Sequence, residues 1–133
     1  MNRPHVLLAE DHASVAEVLK RILNDEFDVV GAVADGVALI EAADTLKPDV
    51  IVADISMPRL DGLSALIKMK AKQPDVKVVL ITMYDEPSVA RVALDAGALG
   101  FVMKHSASTD LIPAVKAALD GKTYVSSILV EKE

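Results

Sequence analysis

Short apolar runs alternate with segments of helical periodicity along this 133-residue chain. The runs are rich in Val, Leu and Ile and are apolar throughout, which is typical of strands buried on both faces of a parallel sheet. They cover residues 6–9, 29–33, 50–53, 78–81 and 101–103. The second run contains Gly31 and is the least apolar, so we expect it at an edge of the sheet.

A helical pattern follows each run. In the first such segment the residues at 15, 18, 19, 22 and 23 are apolar and share one helix face, so we expect that face to be buried. Asp61 is expected to cap the third helix, and Asp11 is a candidate cap for the first. We expect Pro113 at the start of the fifth helix, capped by Ser108 or Thr109, because a proline further inside would cost backbone hydrogen bonds. Five successive βα units predict a parallel sheet with helices on both faces.

Composition excludes several classes of protein. The net charge is −6 and only 3% of the residues are aromatic, which argues against a nucleic-acid surface on this chain. The absence of cysteine excludes disulfides and thiolate metal sites and fits a cytoplasmic location. No apolar run is long enough to span a bilayer, and the first residues do not resemble a signal peptide, so we expect no membrane contact. His5 and His12 have no partner identifiable from sequence and are predicted at the surface.

Polar residues follow four of the apolar runs directly. Glu10 and Asp11 follow the first, Asp54 the third, Thr82 the fourth and Lys104 the fifth. In open α/β sheets ligands bind beyond the carboxyl ends of the strands, so these residues are expected to converge. Carboxylates without His or Cys suit Mg²⁺, and a carboxylate beside Mg²⁺ can attack a phosphoryl group whose charge a lysine and a hydroxyl help to neutralise. Each residue taken singly is more often a helix cap or a solvent-facing side chain; the set is what points to a site.

These residues carry a family resemblance. Glu10-Asp11, the block Asp-Ile-Ser-Met-Pro-Arg-Leu-Asp-Gly at 54–62, Thr82 and the run Gly-Phe-Val-Met-Lys at 100–104 match in order and spacing. Over residues 5–121 the chain resembles the receiver domain of two-component response regulators. The resemblance implies a flavodoxin-like, doubly wound, five-stranded parallel sheet of order 2-1-3-4-5 with five helices, the strand order also found in a chemotaxis receiver.

The resemblance also implies a phosphoacceptor site. Asp54 would take a phosphoryl group from a phosphohistidine of a sensor histidine kinase. Asp11, Asp54 and the backbone carbonyl of Ser56 would ligate Mg²⁺, and Glu10 would hold a water on the metal. Glu10 stands where aspartate is common in the family, and its extra methylene alters the geometry of that contact.

Further roles follow from the same resemblance. Lys104 would pair with the phosphoryl oxygens, Thr82 would hydrogen-bond to them, and Phe101 would turn inward as Thr82 moves. Met83, where a small residue is common, and the residues two positions past Asp54 and Thr82, which are Ser56 and Tyr84, would tune the lifetime of the phosphoryl group. Such a domain is not an enzyme beyond catalysing its own phosphotransfer and autodephosphorylation.

One branch of the family fits best. A non-proline, His105, follows the lysine, and residues 118–125 resemble the NarL/FixJ (LuxR-type) branch, in which a helix-turn-helix DNA-binding domain follows a linker. We expect residues 1–121 to form the receiver and residues 122–133 to be a tail, either a last helical turn or the start of that linker. The chain would then be a fragment of a transcription regulator, touching DNA only through a domain absent here, or a stand-alone receiver. A homodimer would use the face of helix 4, strand 5 and helix 5, or that of helices 1 and 5.

Three other functions use similar architecture. A flavin carrier needs a Ser/Thr/Gly-rich phosphate loop after the first strand, where this chain has acids. Metal-dependent phosphohydrolases usually carry a DxD pair, and Asp54 is followed at that spacing by Ser56. A pseudo-receiver that serves only as a protein-interaction module is the remaining alternative; the intact acid, threonine and lysine set argues against it.

Overall fold

The computed structural model describes residues 3–83 and 87–126. Within them a parallel sheet has the order β2-β1-β3-β4-β5-β6. The strands are β1 (His5–Ala9), β2 (Asp28–Val33), β3 (Val50–Asp54), β4 (Val78–Thr82), β5 (Gly100–Met103) and β6 (Tyr124–Val125). The helices are α1 (Ala13–Leu23), α2 (Gly36–Leu46), α3 (Gly62–Lys72), α4 (Pro87–Asp95) and α5 (Ala107–Leu119), and a short 3₁₀ turn (Lys104–Ser106) precedes α5. The doubly wound fold and the order of its first five strands are confirmed; β6 is an addition to them.

Burial explains why the strands are apolar throughout. Every residue of β3, β4 and β5 is buried, whereas β2 lies at the sheet edge, as predicted, and has no fully buried residue. Successive residues of one strand enter different cores, because their side chains point to opposite faces. Leu7 packs in the core shared with α2, α3 and α4, and its neighbour Leu8 packs in the core shared with α1 and α5.

The predicted helix caps are confirmed only in part. The Asp61 side chain accepts a hydrogen bond from the backbone N–H of Ser64 at 2.7 Å, which confirms the cap of α3. At α1 the capping position is taken by His12, without a side-chain bond, so Asp11 is not its cap. Val18 is 51% exposed, contrary to the prediction, because the apolar stripe of α1 is wider than the surface that covers it.

The prediction for Pro113 is wrong. Helix α5 begins at Ala107, so the proline is the seventh helical residue. Ala107 is buried, and its packing against the sheet extends the helix beyond the start that the proline suggested. The lost backbone bond falls on an exposed part of the helix, where water can hydrogen-bond to the freed carbonyl.

Within the predicted tail, residues 124–125 form strand β6 rather than a helical turn. The backbone N–H groups of Tyr124 and Ser126 donate to the carbonyls of Leu99 and Phe101 at 2.9 and 3.0 Å. These bonds cover the edge that β5 would otherwise expose. Residues 127–133 lie outside the described part of the chain.

A polar network anchors this added strand. The Ser126 hydroxyl accepts from the backbone N–H of Met103 at 3.0 Å and donates to Asp110 Oδ2 at 2.8 Å. The Tyr124 hydroxyl donates to Asp110 Oδ1 at 2.9 Å. Because Ser126 is only 1% exposed, these bonds satisfy a buried hydroxyl and a buried backbone donor. Among the described helices, none is long and apolar enough to cross a membrane.

Candidate functional site

The parallel sheet brings four predicted site residues together at the carboxyl ends of its strands. Asp54 and Thr82 are the last residues of β3 and β4, and Glu10 and Lys104 directly follow β1 and β5. Glu10, Asp54 and Thr82 are each less than 5% exposed. Such burial of polar side chains is costly unless they are paired, so their partners define the site.

Lys104 joins two of the carboxylates. Its ammonium nitrogen lies 2.8 Å from Asp54 Oδ2 and 2.9 Å from Glu10 Oε1, and its side chain is 11% exposed. The other Asp54 oxygen, Oδ1, accepts a hydrogen bond from the backbone N–H of Ser56 at 3.1 Å. The ammonium therefore compensates the charge of two acids that would otherwise repel each other.

Burial and pairing shift both ionisation equilibria. Burial raises the pKa of Asp54, and the nearby Glu10 raises it further, although the hydrogen bond and charge of Lys104 act against this rise. Burial by itself lowers the pKa of Lys104, but hydrogen bonds and attraction from Asp54 and Glu10 leave it raised overall. The lysine thus stays protonated, and any further cation that approaches Asp54 would stabilise the ionised form of its carboxyl group.

A second group of donors lies beside this ion pair. Single ligand atoms of Glu10, Asp11 and His12 all lie within 4.8 Å of one another. His12 Nδ1 is 3.2 Å from Glu10 Oε2 and 3.4 Å from Asp11 Oδ1. Its side chain is exposed, as predicted, but the ring has carboxylate partners that sequence reasoning did not identify. Its position next to Glu10-Asp11 at a strand end was the signal that could have found it.

The acidic residues fit a hard divalent cation. Oδ1 of Asp11 is buried and accepts no hydrogen bond, and the buried Oε1 of Glu10 has the Lys104 ammonium as its partner at 2.9 Å. Carboxylate oxygens in this state suit Mg²⁺, which takes one or two carboxylates and retains waters. Glu10, Asp11 and Asp54 are the side chains that would hold it.

The remaining predicted site residues differ in burial. Phe101 is fully buried in the core on the side of α2, α3 and α4. Met83 is 65% exposed, and the Ser56 side chain is also exposed. Tyr84 lies outside the described residues.

The loop after Asp54 explains the Asp-Gly pair in the predicted block. The backbone N–H of Gly62 donates to the carbonyl of Ile55 at 2.8 Å, which folds the loop back onto β3. A Cβ at Gly62 would lie 2.2 Å from the carbonyl oxygen of Asp54. Only glycine fits at this close approach without displacing the backbone of Asp54.

Known proteins resemble the chain over nearly its whole length. The family model described as the response regulator receiver domain matches residues 6–116. The oxygen regulatory protein NreC of Staphylococcus epidermidis is 37% identical over 123 residues, which are 90% of this chain and 56% of NreC. The chain spans between about half and three fifths of the length of the curated relatives it matches.

Solved structures agree with this similarity. A LuxR-family two-component response regulator from Aurantimonas sp. SI85-9A1 has a TM-score of 0.92 and 26% identity, covering 96% of this chain and 93% of its own. The isolated REC domain of RcsB from Salmonella enterica serovar Typhimurium, solved in the presence of the phosphomimetic BeF3−, has a TM-score of 0.87 and 30% identity, covering 96% of both chains.

Proposed function

Because this chain belongs to the receiver domain family of response regulators, we propose that it accepts a phosphoryl group on Asp54 from the phosphohistidine of a sensor histidine kinase. The observation that carries the proposal is the buried Asp54 carboxylate, 2.8 Å from the Lys104 ammonium at an edge that also holds Glu10 and Asp11. The pKa of Asp54 is raised chiefly because burial removes water from its carboxylate. Cations rather than water would therefore compensate the negative charge of this nucleophile.

In the proposed transfer an Asp54 carboxylate oxygen forms a bond to phosphorus. The bond from phosphorus to the imidazole nitrogen of the donor breaks, and its electron pair remains on that nitrogen. The Ser56 backbone N–H orients the acceptor through Oδ1. Lys104, already at the carboxylate, would then pair with the phosphoryl oxygens, and the buried Thr82, at the end of the neighbouring strand, would hydrogen-bond to them. Bound Mg²⁺, held by Asp11, Asp54 and the Ser56 carbonyl and by a water on Glu10, would neutralise charge on the transferring group.

The chain phosphorylated on Asp54 would act as a switch rather than as an intermediate in a catalytic cycle. Thr82 and Phe101 lie on adjacent strands, β4 and β5. Movement at the carboxyl ends of the strands can therefore pass to the core and to α4 and α5. Ser56, Met83 and Tyr84 would tune the lifetime of the phosphoryl group. Met83 is exposed and directly follows β4. Removal of the group by water would be the domain's own autodephosphorylation.

The wider role follows the NarL/FixJ branch. We propose that residues 1–121 form the receiver and that residues 122–133, of which 124–125 form β6, lead toward a helix-turn-helix output domain that binds DNA in the cytoplasm. Phosphorylation would favour a homodimer through α4, β5 and α5, or through α1 and α5. Structures of the relative RcsB include complexes with DNA and dimers on DNA, which supports an output of this kind.

Intact mass spectrometry tests the acceptor directly. Incubation of the wild-type chain with Mg²⁺ and a small phosphodonor should add one phosphoryl group, and Asp54→Asn should add none. Chelation of the metal should suppress the addition in the wild type. Asp61→Asn is the matched control, since it changes an exposed capping acid of the same loop. Equal phosphorylation of wild type and Asp54→Asn would sink the proposal, and size-exclusion chromatography of the same samples tests the dimer.

A further inference from the structure

The lysine of the site has less support from the sheet than its two partners have. Glu10 and Asp54 stand at the ends of β1 and β3, and each of these strands is paired on both sides with a strand of five or six residues. Lys104 follows β5, whose outer neighbour is the two-residue strand β6. Its ammonium nevertheless meets both acids, at 2.9 and 2.8 Å. The backbone from which the lysine reaches them must therefore be fixed by contacts other than a long outer strand.

Ser126 supplies such a contact through its side chain. Its hydroxyl accepts a hydrogen bond from the backbone N–H of Met103, the residue directly before Lys104, at 3.0 Å. On the inner side of the sheet, Met103 is paired with Thr82 of β4. The end of β5 is thus held from both sides, although β6 itself ends at Val125.

The same hydroxyl also holds the far end of the segment that carries the lysine. It donates to Asp110 Oδ2 at 2.8 Å, and Asp110 lies in the first turn of α5. We call these two hydrogen bonds, from Met103 to Ser126 and from Ser126 to Asp110, the Ser126 bridge. Both ends of the segment 103–110 therefore bond to one hydroxyl. Because Ser126 is only 1% exposed, water cannot readily replace these bonds when the hydroxyl is removed.

We infer that Ser126 is a positioning residue for Lys104: through the Ser126 bridge it fixes the backbone from which the ammonium reaches Glu10 and Asp54. The inference rests on the proposed function for the part that Lys104 plays in phosphoryl transfer, but the placement of the lysine can be measured without any transfer. It gives a role at the phosphoacceptor site to a residue that lies past residues 5–121, over which the family resemblance extends.

The chemistry of lysine makes this support necessary. Its ammonium is a strongly hydrated point charge on a flexible stem, so it stays between two acids only when its backbone is fixed. The Lys104 side chain is 11% exposed, so water is close enough to compete for the ammonium when the backbone moves. A misplacement of about 1 Å at a reacting centre can slow a reaction about 100-fold.

A second hydroxyl of the same network provides the matched control. Tyr124 lies on β6, and its hydroxyl donates to Asp110 Oδ1 at 2.9 Å. Tyr124→Phe removes this bond and leaves the Ser126 bridge intact. If the network served only to anchor β6, the loss of either hydroxyl would affect Lys104 in the same way. If Ser126 positions the lysine, only the loss of its own hydroxyl affects Lys104.

Nuclear magnetic resonance of the lysine ammonium nitrogen measures the placement directly. In the isotope-labelled wild-type chain without phosphodonor, Lys104 should give a signal that exchanges slowly with water, and Lys104→Arg assigns it by its loss. Ser126→Ala should shift this signal and speed its exchange. Asp110→Ala, which removes the other end of the Ser126 bridge, should do the same. Tyr124→Phe should leave the signal unchanged. All variants are compared at a temperature at which circular dichroism shows them folded.

Phosphorylation by a small donor at saturating Mg²⁺ measures the consequence. Intact mass spectrometry should show Ser126→Ala and Asp110→Ala phosphorylated about ten-fold more slowly than the wild type, as expected for a misplaced charged group. Tyr124→Phe should be phosphorylated at the wild-type rate, because its Ser126 bridge is intact.

Three results would overturn the inference: an unchanged Lys104 signal in folded Ser126→Ala, equal changes in Tyr124→Phe, or a normal phosphorylation rate in Ser126→Ala. If Ser126→Ala does not fold, Asp110→Ala decides by the same criteria, since Asp110 is partly exposed. Failure of the proposed function looks different. The wild type would then accept no phosphoryl group, whereas the Lys104 signal would still depend on Ser126.

Discussion

Gly62→Ala should move the proposed phosphoacceptor by adding a single methyl group. The new Cβ would stand 2.2 Å from the Asp54 carbonyl oxygen, 3.0 Å from its carbonyl carbon and 3.1 Å from the Cα of Ile55. Ordinary contact begins near 3.4 Å, so the two backbones must separate by about 1.2 Å. Both belong to rigid parts, since Asp54 ends the fully buried β3 and Gly62 starts α3.

The energetic cost follows from this geometry. Overpacking by a methyl group costs about 1–3 kcal/mol when the neighbours cannot relax, and here the neighbour is backbone. Alanine recovers less than about 1 kcal/mol through its better helix propensity, because the site is the first helical residue. We expect a net loss of about 2 kcal/mol in the free energy of unfolding, equivalent to about 8 °C in Tm for a domain of this size.

Urea unfolding followed by circular dichroism measures this loss, with Gly121→Ala as the control. Gly121 has φ +74°, and a Cβ added there would meet nothing within 4 Å, so its substitution reports backbone strain alone, about 1 kcal/mol. Gly62→Ala should also slow phosphorylation by a small donor, which Gly121→Ala should not. A destabilisation no larger than that of Gly121→Ala, with normal phosphorylation, refutes the steric reasoning.

Two further predictions concern the network that anchors β6. Ser126→Ala should lower the free energy of unfolding by about 2 kcal/mol, because it leaves the Met103 backbone N–H buried and unpaired and removes a bond to Asp110; unchanged thermal unfolding would contradict this. Burial and Asp110 raise the pKa of Tyr124 above its ordinary value of 10.0. In Tyr84→Phe, where Tyr124 is the one remaining tyrosine, ultraviolet titration should therefore give a midpoint above 10.0. The native state then keeps a proton that the unfolded chain has lost, so this contribution to stability is complete below about pH 10 and declines as pH rises further. Tyr124→Phe should remove that part of the alkaline decline, and an equal decline in both proteins would count against it.

The sheet and the polar residues at the carboxyl ends of its strands could be predicted from the sequence alone. A strand buried on both faces must be apolar throughout, and this property is local, so the runs of β1, β3, β4 and β5 were recognisable without any contact information. Strand β2, which has no fully buried residue, was the least apolar run. The same rule fixed where the polar residues stand, because the residue after each run leaves the core at the carboxyl edge. Glu10, Asp54, Thr82 and Lys104 were identified in this way, and Asp61 as a cap, since a cap bonds only to its own helix.

Features that depend on partners distant in sequence could be seen only in the folded chain. The exposure of Val18 reflects how much of α1 the sheet and α5 can cover, and the helical position of Pro113 reflects packing of the turn that precedes it. Strand β6 forms because β5 offers an unpaired edge, and Ser126 is buried because Met103 and Asp110 meet there. No local periodicity in the sequence predicts such a contact. It arises when segments far apart in the chain are packed together and their hydrogen-bonding groups must be satisfied away from water.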